Sequence, residues 1–309
     1  FKLRMKTDYG LAILMKILFP PGIGDIYWSL VKLRSFLRAK GAPNKPDIYI
    51  GTRPDEFDSH QRAWPFLSMF PFVNPTGQTL NVDDKPPRFW ERAYTQSRTG
   101  IFRNVLGCDY FIVYNGPINA GIPLNEVDPQ FECEWDLLLP ASDHQVDFQN
   151  QCQVQFGRYI VYHFGTRGTY KYWTEEFSVD QIIEGIKLIS QRTQTTPVLA
   201  GGIWDKEDAG LVRLVNEAGC RDMMGQTSLD ELYGMIRGAA AVTGFPSGLS
   251  ILAPVLGTKT LSLWSGLYPQ GTWWNVVPPS TWMRSYWAVP TKDYSVSLWV
   301  GQMEGIVNA

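Results

Sequence analysis

The chain has 309 residues, 44% apolar and 19% charged, the proportions of an ordinary globular fold, which exclude collagen-like, coiled-coil and low-complexity classes. Its 28 Lys and Arg stand against 30 Asp and Glu, so no overall field draws it to nucleic acid or to an anionic membrane. No apolar run approaches the roughly 18 residues of a membrane span, and four scattered cysteines with three histidines suggest neither a disulfide framework nor a zinc site, which fits a reducing cytoplasm.

Lys2, Arg4 and Lys6 ahead of Leu11 to Met15 imitate a signal peptide, but Lys16 ends the apolar stretch and no small-residue cleavage site follows, so export is rejected. Met15 reads as a natural start, with Met5 competing, and residues 1–14 as an upstream remnant. Lys16 to Phe19 is a short apolar strand, Pro20 to Gly24 a turn, and Ile26, Leu30, Leu33 and Leu37 recur at helical spacing from Asp25 onward. Asp47 to Gly51 and Cys108 to Tyr114 read as further buried strands, so the first part is a parallel α/β sheet. Residues 53–105 read as loops and short helices on a sheet rim.

A second series of strands and helices opens at Arg158 to Phe164. It continues through a helix from Val179 to Ser190, a strand from Pro197 to Ala200 and a helix from Asp205 to Ala218. A Ser-x-x-Glu capping box opens a helix over Ser228 to Ala239; a strand at Ala240 to Thr243, a helix at Gly248 to Leu256 and a strand at Lys259 to Trp264 follow. The length and this repetition predict two Rossmann-like domains, 1–150 and 151–309, joined near 140–157. Six of the twelve tryptophans lie beyond residue 260, too many rings to leave in water, and Val296, Trp299, Val300 and Met303 form one face of a final helix from Tyr294 to Val307. That face is expected to dock across onto the first domain.

Three turns carry groups suited to chemistry. Gly22-Ile-Gly24-Asp25 puts two glycines and a carboxylate where a strand hands over to a helix; Asp25 is either a helix cap or a general base. A nicotinamide fingerprint would need glycine at position 27, where the chain has Tyr27. His163 to Trp173 follows a strand, lacks apolar periodicity and offers the Thr166 hydroxyl with Arg167 and Lys171, groups that suit a diphosphate; a solvated loop is the bland alternative. Thr243 to Ser250 runs from a strand through a tight turn into a helix whose free amides at Ser247, Gly248 and Leu249 favour an anion.

Together these segments resemble glycosyltransferase family 9, the ADP-heptose:lipopolysaccharide heptosyltransferases and their relatives. Gly-Ile-Gly-Asp25 is similar to that family's N-terminal motif, Thr166-Arg167 to Lys171-Tyr-Trp173 to its donor-phosphate loop, and the run from Gly225 through Ser247-Gly248 to Thr258 to its C-terminal signature. The resemblance implies a GT-B fold, α/β, with two Rossmann-like doubly wound domains facing across a cleft. It implies an inverting, metal-independent transferase with no cofactor, in which Asp25 is the base and Gly22 and Gly24 lie on the acceptor side. A nucleotide-sugar would be held by Thr166, Arg167, Lys171, Ser247, Gly248 and Leu249. Asp205 is the candidate for the ribose, or a helix cap, and Met224 for the nucleobase, or core filling. Many members have an acidic residue before the Ser-Gly pair and a histidine after it; this chain has Pro246 and Ile251.

The acceptor side is read from a rim of Lys85, Arg88, Arg92, Arg98 and Arg103 interleaved with Phe89, Trp90, Tyr94 and Phe102, to which the first helix adds Lys32, Arg34 and Arg38. It suits an anionic glycan such as lipopolysaccharide, with single-stranded nucleic acid the alternative occupant. His60 and His144 are read as structural. A transferase acting on protein or a modified DNA base, or a non-catalytic sugar-nucleotide or glycan-binding module, are the rival functions.

Overall fold

The computed structural model describes residues 15–19, 22–39, 45–52, 59–81, 110–111, 134, 136–137, 140–165, 176–264, 286–290 and 294–309. The chain separates into two compact units, Phe1–Glu134 and Trp135–Ala309.

In the first unit, β1 (Lys16–Phe19), β2 (Asp47–Thr52), β3 (Asn74–Asn81) and β4 (Tyr110–Phe111) form a parallel sheet in the order β3-β2-β1-β4. Helices α1 (Ile23–Ala39) and α2 (Ser59–Ser68) accompany it among the described residues. Helix α1 begins two residues before Asp25, because the Gly22 carbonyl already accepts from the Ile26 amide at 2.8 Å. The apolar stripe read from the sequence is its buried face: Ile26, Leu30 and Leu33 are fully covered. On its other side Arg34 and Arg38 pair with Glu134, to which the Ser35 hydroxyl also donates at 3.1 Å, while the Glu134 amide donates to the Val31 carbonyl at 2.7 Å. Arg34 and Arg38, expected on an open acceptor rim, are thus engaged in holding the end of this unit. The bonds from Arg38 and Ser35, with the field of both arginines, outweigh the opposing effect of burial and hold the Glu134 carboxyl below its usual range.

The second unit opens with α3 (Asp143–Phe156), where the sequence suggested a linker. This Gln-rich helix carries little apolar periodicity; it is fixed by the Ser142 cap and by close packing on α6 (Leu229–Gly238). Gly234 of α6 makes that approach possible, since a Cβ there would lie 2.4 Å from the Gln145 carbonyl oxygen. Gln145, buried at the contact, donates to Asp230 at 2.6 Å and accepts from Arg237 at 3.2 Å, so no buried amide group is stranded.

Six parallel strands follow: β5 (Tyr159–His163), β6 (Thr196–Leu199), β7 (Arg221–Asp222), β8 (Ala241–Gly244), β9 (Thr260–Trp264) and β10 (Tyr286–Pro290), in the order β10-β9-β8-β5-β6-β7. Counted within this unit, the order is that of a dinucleotide-binding sheet, 3-2-1-4-5-6. Strands β5, β8 and β9 are buried at every residue, as a parallel sheet covered on both faces requires. Helices α4 (Val179–Thr193), α5 (Ala209–Ala218) and α7 (Gly248–Val255) connect them. The helix expected over Asp205 to Ala218 is two pieces, a 3-10 turn at Ile203–Glu207 and α5, because Asp208 caps α5 through the Leu211 amide. Strand β10 lies in the Trp-rich stretch where the sequence shows no element.

The final helix, α8 (Val296–Asn308), forms as expected but its docking is corrected: its apolar face is spent on α4, inside the second unit. The cause is Gly185 in α4, whose missing side chain leaves a notch filled by the Trp299 ring; a Cβ there would sit 2.3 Å from it. Lys259 and Arg158 then donate to the Ile306 and Val307 carbonyls, the unpaired acceptors at the end of α8.

Candidate functional site

In an open parallel sheet, ligands bind beyond the carboxyl ends of the strands where the strand order reverses. In the second unit that reversal is between β5, which leads to β6 on one side, and β8, which lies on the other. The chain leaves β5 at Phe164-Gly165 and β8 at Gly244-Phe245, both within the described residues. The two exits are laced together. The Phe245 amide donates to the His163 carbonyl at 3.0 Å, and Gly244 takes φ 143° with so little space that a Cβ would meet that same carbonyl oxygen at 1.9 Å. Only glycine fits there. His163 donates from Nδ1 to the Ala200 carbonyl at 2.9 Å, which ties β5 to the end of β6 and makes it a structural histidine.

From Gly244 the chain turns into α7. Ser247 is its N-cap: the Ser247 hydroxyl accepts from the Leu249 amide at 3.2 Å and the Ser247 amide donates to the Ser250 hydroxyl at 2.9 Å. Ser247, Gly248 and Leu249 are half-buried, reachable from solvent at the positive end of the helix. Thr166, Arg167 and Lys171, predicted to bind the donor, lie outside the described residues, as do Arg88 and Arg92.

Asp205 and Met224 both make close contacts within the fold. The Asp205 carboxylate accepts from the Gly202 amide at 2.7 Å, closing the 3-10 turn, and it is packed so tightly that a Cβ on Gly165 or Gly201 would fall 2.5 to 2.7 Å from its oxygens. It caps the 3-10 turn, and Asp208 caps the helix that follows. Met224 is 2% exposed and packs beside Gly201. Next to it Gly225 holds φ 63°, with a Cβ position 2.7 Å from the Ile203 backbone, so this rim is built by close backbone approach.

The reversal in the first unit falls between β1 and β4. Gly22, Gly24 and Asp25 occupy the exit of β1, with Asp25 third in α1. Sequence reading therefore put both glycine turns at strand exits beside a reversal. It did not single out Gly165 or Gly244, whose signal is a glycine at the end of a buried strand. Among the described residues no group of three or more His, Cys, Asp or Glu side chains is placed to hold a metal ion, and no helix is long and apolar enough to cross a membrane.

Comparison with known proteins resolves the family. The family model for glycosyltransferase family 9 (heptosyltransferase) matches residues 110–284, more than half of the chain. The chain belongs to glycosyltransferase family 9. Among solved structures, the family 9 glycosyltransferase of Veillonella parvula is similar, with 11% identity and a TM-score of 0.62 over 95% of this chain and 97% of that one. The E. coli ADP-heptose heptosyltransferase II superposes with a TM-score of 0.57 at 15% identity, over 96% of this chain and 99% of that one. A UDP-GlcNAc 2-epimerase of Methanocaldococcus jannaschii, solved with UDP-GlcNAc and UDP, gives 0.56 at 13% identity over 96% and 93%. No curated protein sequence matches the chain. At these identities the structures establish the GT-B fold, which transferase and epimerase share; the family match makes this a glycosyltransferase. The family 9 match spans Thr166, Arg167, Lys171 and the Ser247 to Leu249 turn, and leaves Asp25 outside.

Proposed function

We propose that this family 9 enzyme transfers a sugar from a nucleotide-sugar to a hydroxyl of a glycan acceptor of the lipopolysaccharide kind. The observation that carries the reading is the Ser247-capped turn into α7, half-buried at the exit of β8 beside the strand-order reversal of the second unit. The Gly248 amide at this helix end would meet the donor diphosphate, with Thr166, Arg167 and Lys171 supplying a hydroxyl and two cations. Asp25 would take the proton of the acceptor hydroxyl. Its oxygen then bonds to the anomeric carbon as the bond from that carbon to the diphosphate breaks, and the nucleoside diphosphate leaves with the electron pair, its charge met by those donors without a metal ion. Attack opposite the leaving group inverts the anomeric centre.

The test begins with thermal shift over ADP-, UDP-, GDP-, CDP- and TDP-sugars, since a bound donor raises the melting temperature by mass action. Transfer of labelled sugar to lipopolysaccharide cores follows. Lys171→Ala is expected to weaken nucleoside diphosphate binding by about 1.5–3 kcal/mol, the worth of hydrogen bonds to a charged group. Asp25→Asn should retain donor binding and lower turnover about 10²- to 10⁴-fold. A chain that neither binds nor turns over any of the five donors refutes the proposal.

A further inference from the structure

Beneath the two strand exits lies a layer of rings through which an indole hydrogen bond runs. Trp299, fully buried on α8, meets Phe177 at 5.6 Å, Phe164 at 6.2 Å and Tyr162 at 6.3 Å between ring centroids, each edge to face. Phe164 in turn meets Phe245 at 5.1 Å. Phe164 and Phe245 are the chain neighbours of Gly165 and Gly244, so the rings that carry both exits rest directly or through one another on Trp299. The indole Nε1–H donates to the Thr243 hydroxyl at 3.2 Å, and Thr243 is 1% exposed on β8, immediately before Gly244.

We infer that Trp299 and Thr243 are positioning residues for the donor: their hydrogen bond fixes the height and rotation of the Gly244 to Ser247 turn, and through it the direction of the amides that open α7. The inference rests on the donor reading above and adds to it a residue on a different helix, more than fifty positions away in the chain. The physical reason is directional. Ring packing holds a surface in place but tolerates sliding, whereas an indole N–H has one direction of donation and the Thr243 hydroxyl is held by a strand. Gly244, with no side chain and a left-handed backbone, has little stiffness of its own to resist such a shift. Amides aimed at a diphosphate lose much of their value when displaced by an ångström.

Thr243→Val keeps the shape and removes the acceptor; Thr243→Ser keeps the acceptor; Trp299→Phe keeps a ring and removes the donor. The full chain and each variant are titrated calorimetrically with ADP, UDP, GDP, CDP and TDP, well below each variant's own melting midpoint, and the tightest wild-type ligand is compared. Thr243→Val and Trp299→Phe are expected to raise its Kd about 5- to 50-fold, Thr243→Ser less than about threefold, and the Val/Phe double variant no more than the worse single one. Should Thr243→Val not fold, Trp299→Phe against Thr243→Ser carries the same comparison. Lowered melting midpoints with wild-type Kd in both Thr243→Val and Trp299→Phe overturn the inference, since a purely structural bond predicts that. A wild-type chain that binds none of the five diphosphates overturns the donor reading itself, and this inference with it.

Discussion

Replacing Gly185 by Ala sets two effects against each other within one side chain. Gly185 lies inside α4, where Ala normally stabilises a helix relative to Gly by about 0.5–1 kcal/mol. Here the new Cβ would stand 2.3 Å from two carbons of the Trp299 ring, so the ring or the helix must retreat by more than an ångström to reach ordinary contact. The ring has nowhere to go, being flanked by Tyr162, Phe164 and Phe177 and bonded to Thr243. Overpacking of this kind costs about 1–3 kcal/mol, and with the exits blocked the upper half of that range applies. Subtracting the helix gain leaves a net loss of about 1–2.5 kcal/mol, or about 2–10 °C in the melting midpoint of a domain of this size. Thermal unfolding followed by circular dichroism measures it, and Trp299→Leu in the same background should relieve part of the loss. A Gly185→Ala chain that melts higher than wild type would show that the ring is not seated in that notch.

Other outcomes follow from particular groups. Gly225→Ala forces a left-handed backbone costing about 1–2 kcal/mol and presses on the Ile203 backbone, so urea unfolding should show at least that loss, and a neutral result would contradict the turn. Ser247→Ala should destabilise by about 0.5–2 kcal/mol and Ser247→Gly by a few tenths, the signature of an N-cap; equal effects would remove that role. Glu134 has a lowered pKa, so its contribution is present above the ordinary carboxylate range and is lost as the pH falls through its depressed value; Glu134→Gln should flatten that acid limb of the stability curve, and an unchanged limb counts against the pairing. Burial pushes the Cys152 thiol up to about 11 and the Cys220 thiol to about 12, so both should resist alkylation at pH 8 in the native chain, read by peptide mass spectrometry.

Strongly patterned elements are legible in the amino-acid sequence alone. The helix over Val179–Thr193 and the capped helix over Leu229–Gly238 show apolar faces and Ser caps in the residues themselves, and the strands at 159–163 and 260–264 are short apolar runs between turns. Helix α3 is not legible in this way, because its stability comes from Gly234 and Asp230 more than eighty residues away rather than from its own periodicity. Strand β10 is hidden for a related reason: among the described residues it is an edge strand paired to β9, in a stretch whose Trp and Pro content resembles a loop. In the site, Ser247 is readable from strand, turn and helix in succession, while Asp205 is not, because an acid at a strand exit looks the same in the sequence whether it faces a ribose or its own turn. The docking of α8 cannot be read from the chain at all. An apolar helical face states that it will be buried, and the notch that receives it is a single glycine in another helix.

That notch also sets an order of events during synthesis. Gly185 leaves the ribosome 114 residues before Trp299, about 6–23 s at 5–20 residues per second. Throughout that interval Tyr162, Phe164 and Phe177 have been synthesised but lack the ring that covers them. The nascent second unit therefore carries an open apolar seat on α4, the kind of surface that holdase chaperones and premature intermolecular contacts both exploit. Truncation anywhere upstream of α8 leaves that seat permanently uncovered, so fragments of this unit would be recovered as aggregates however complete their sheet.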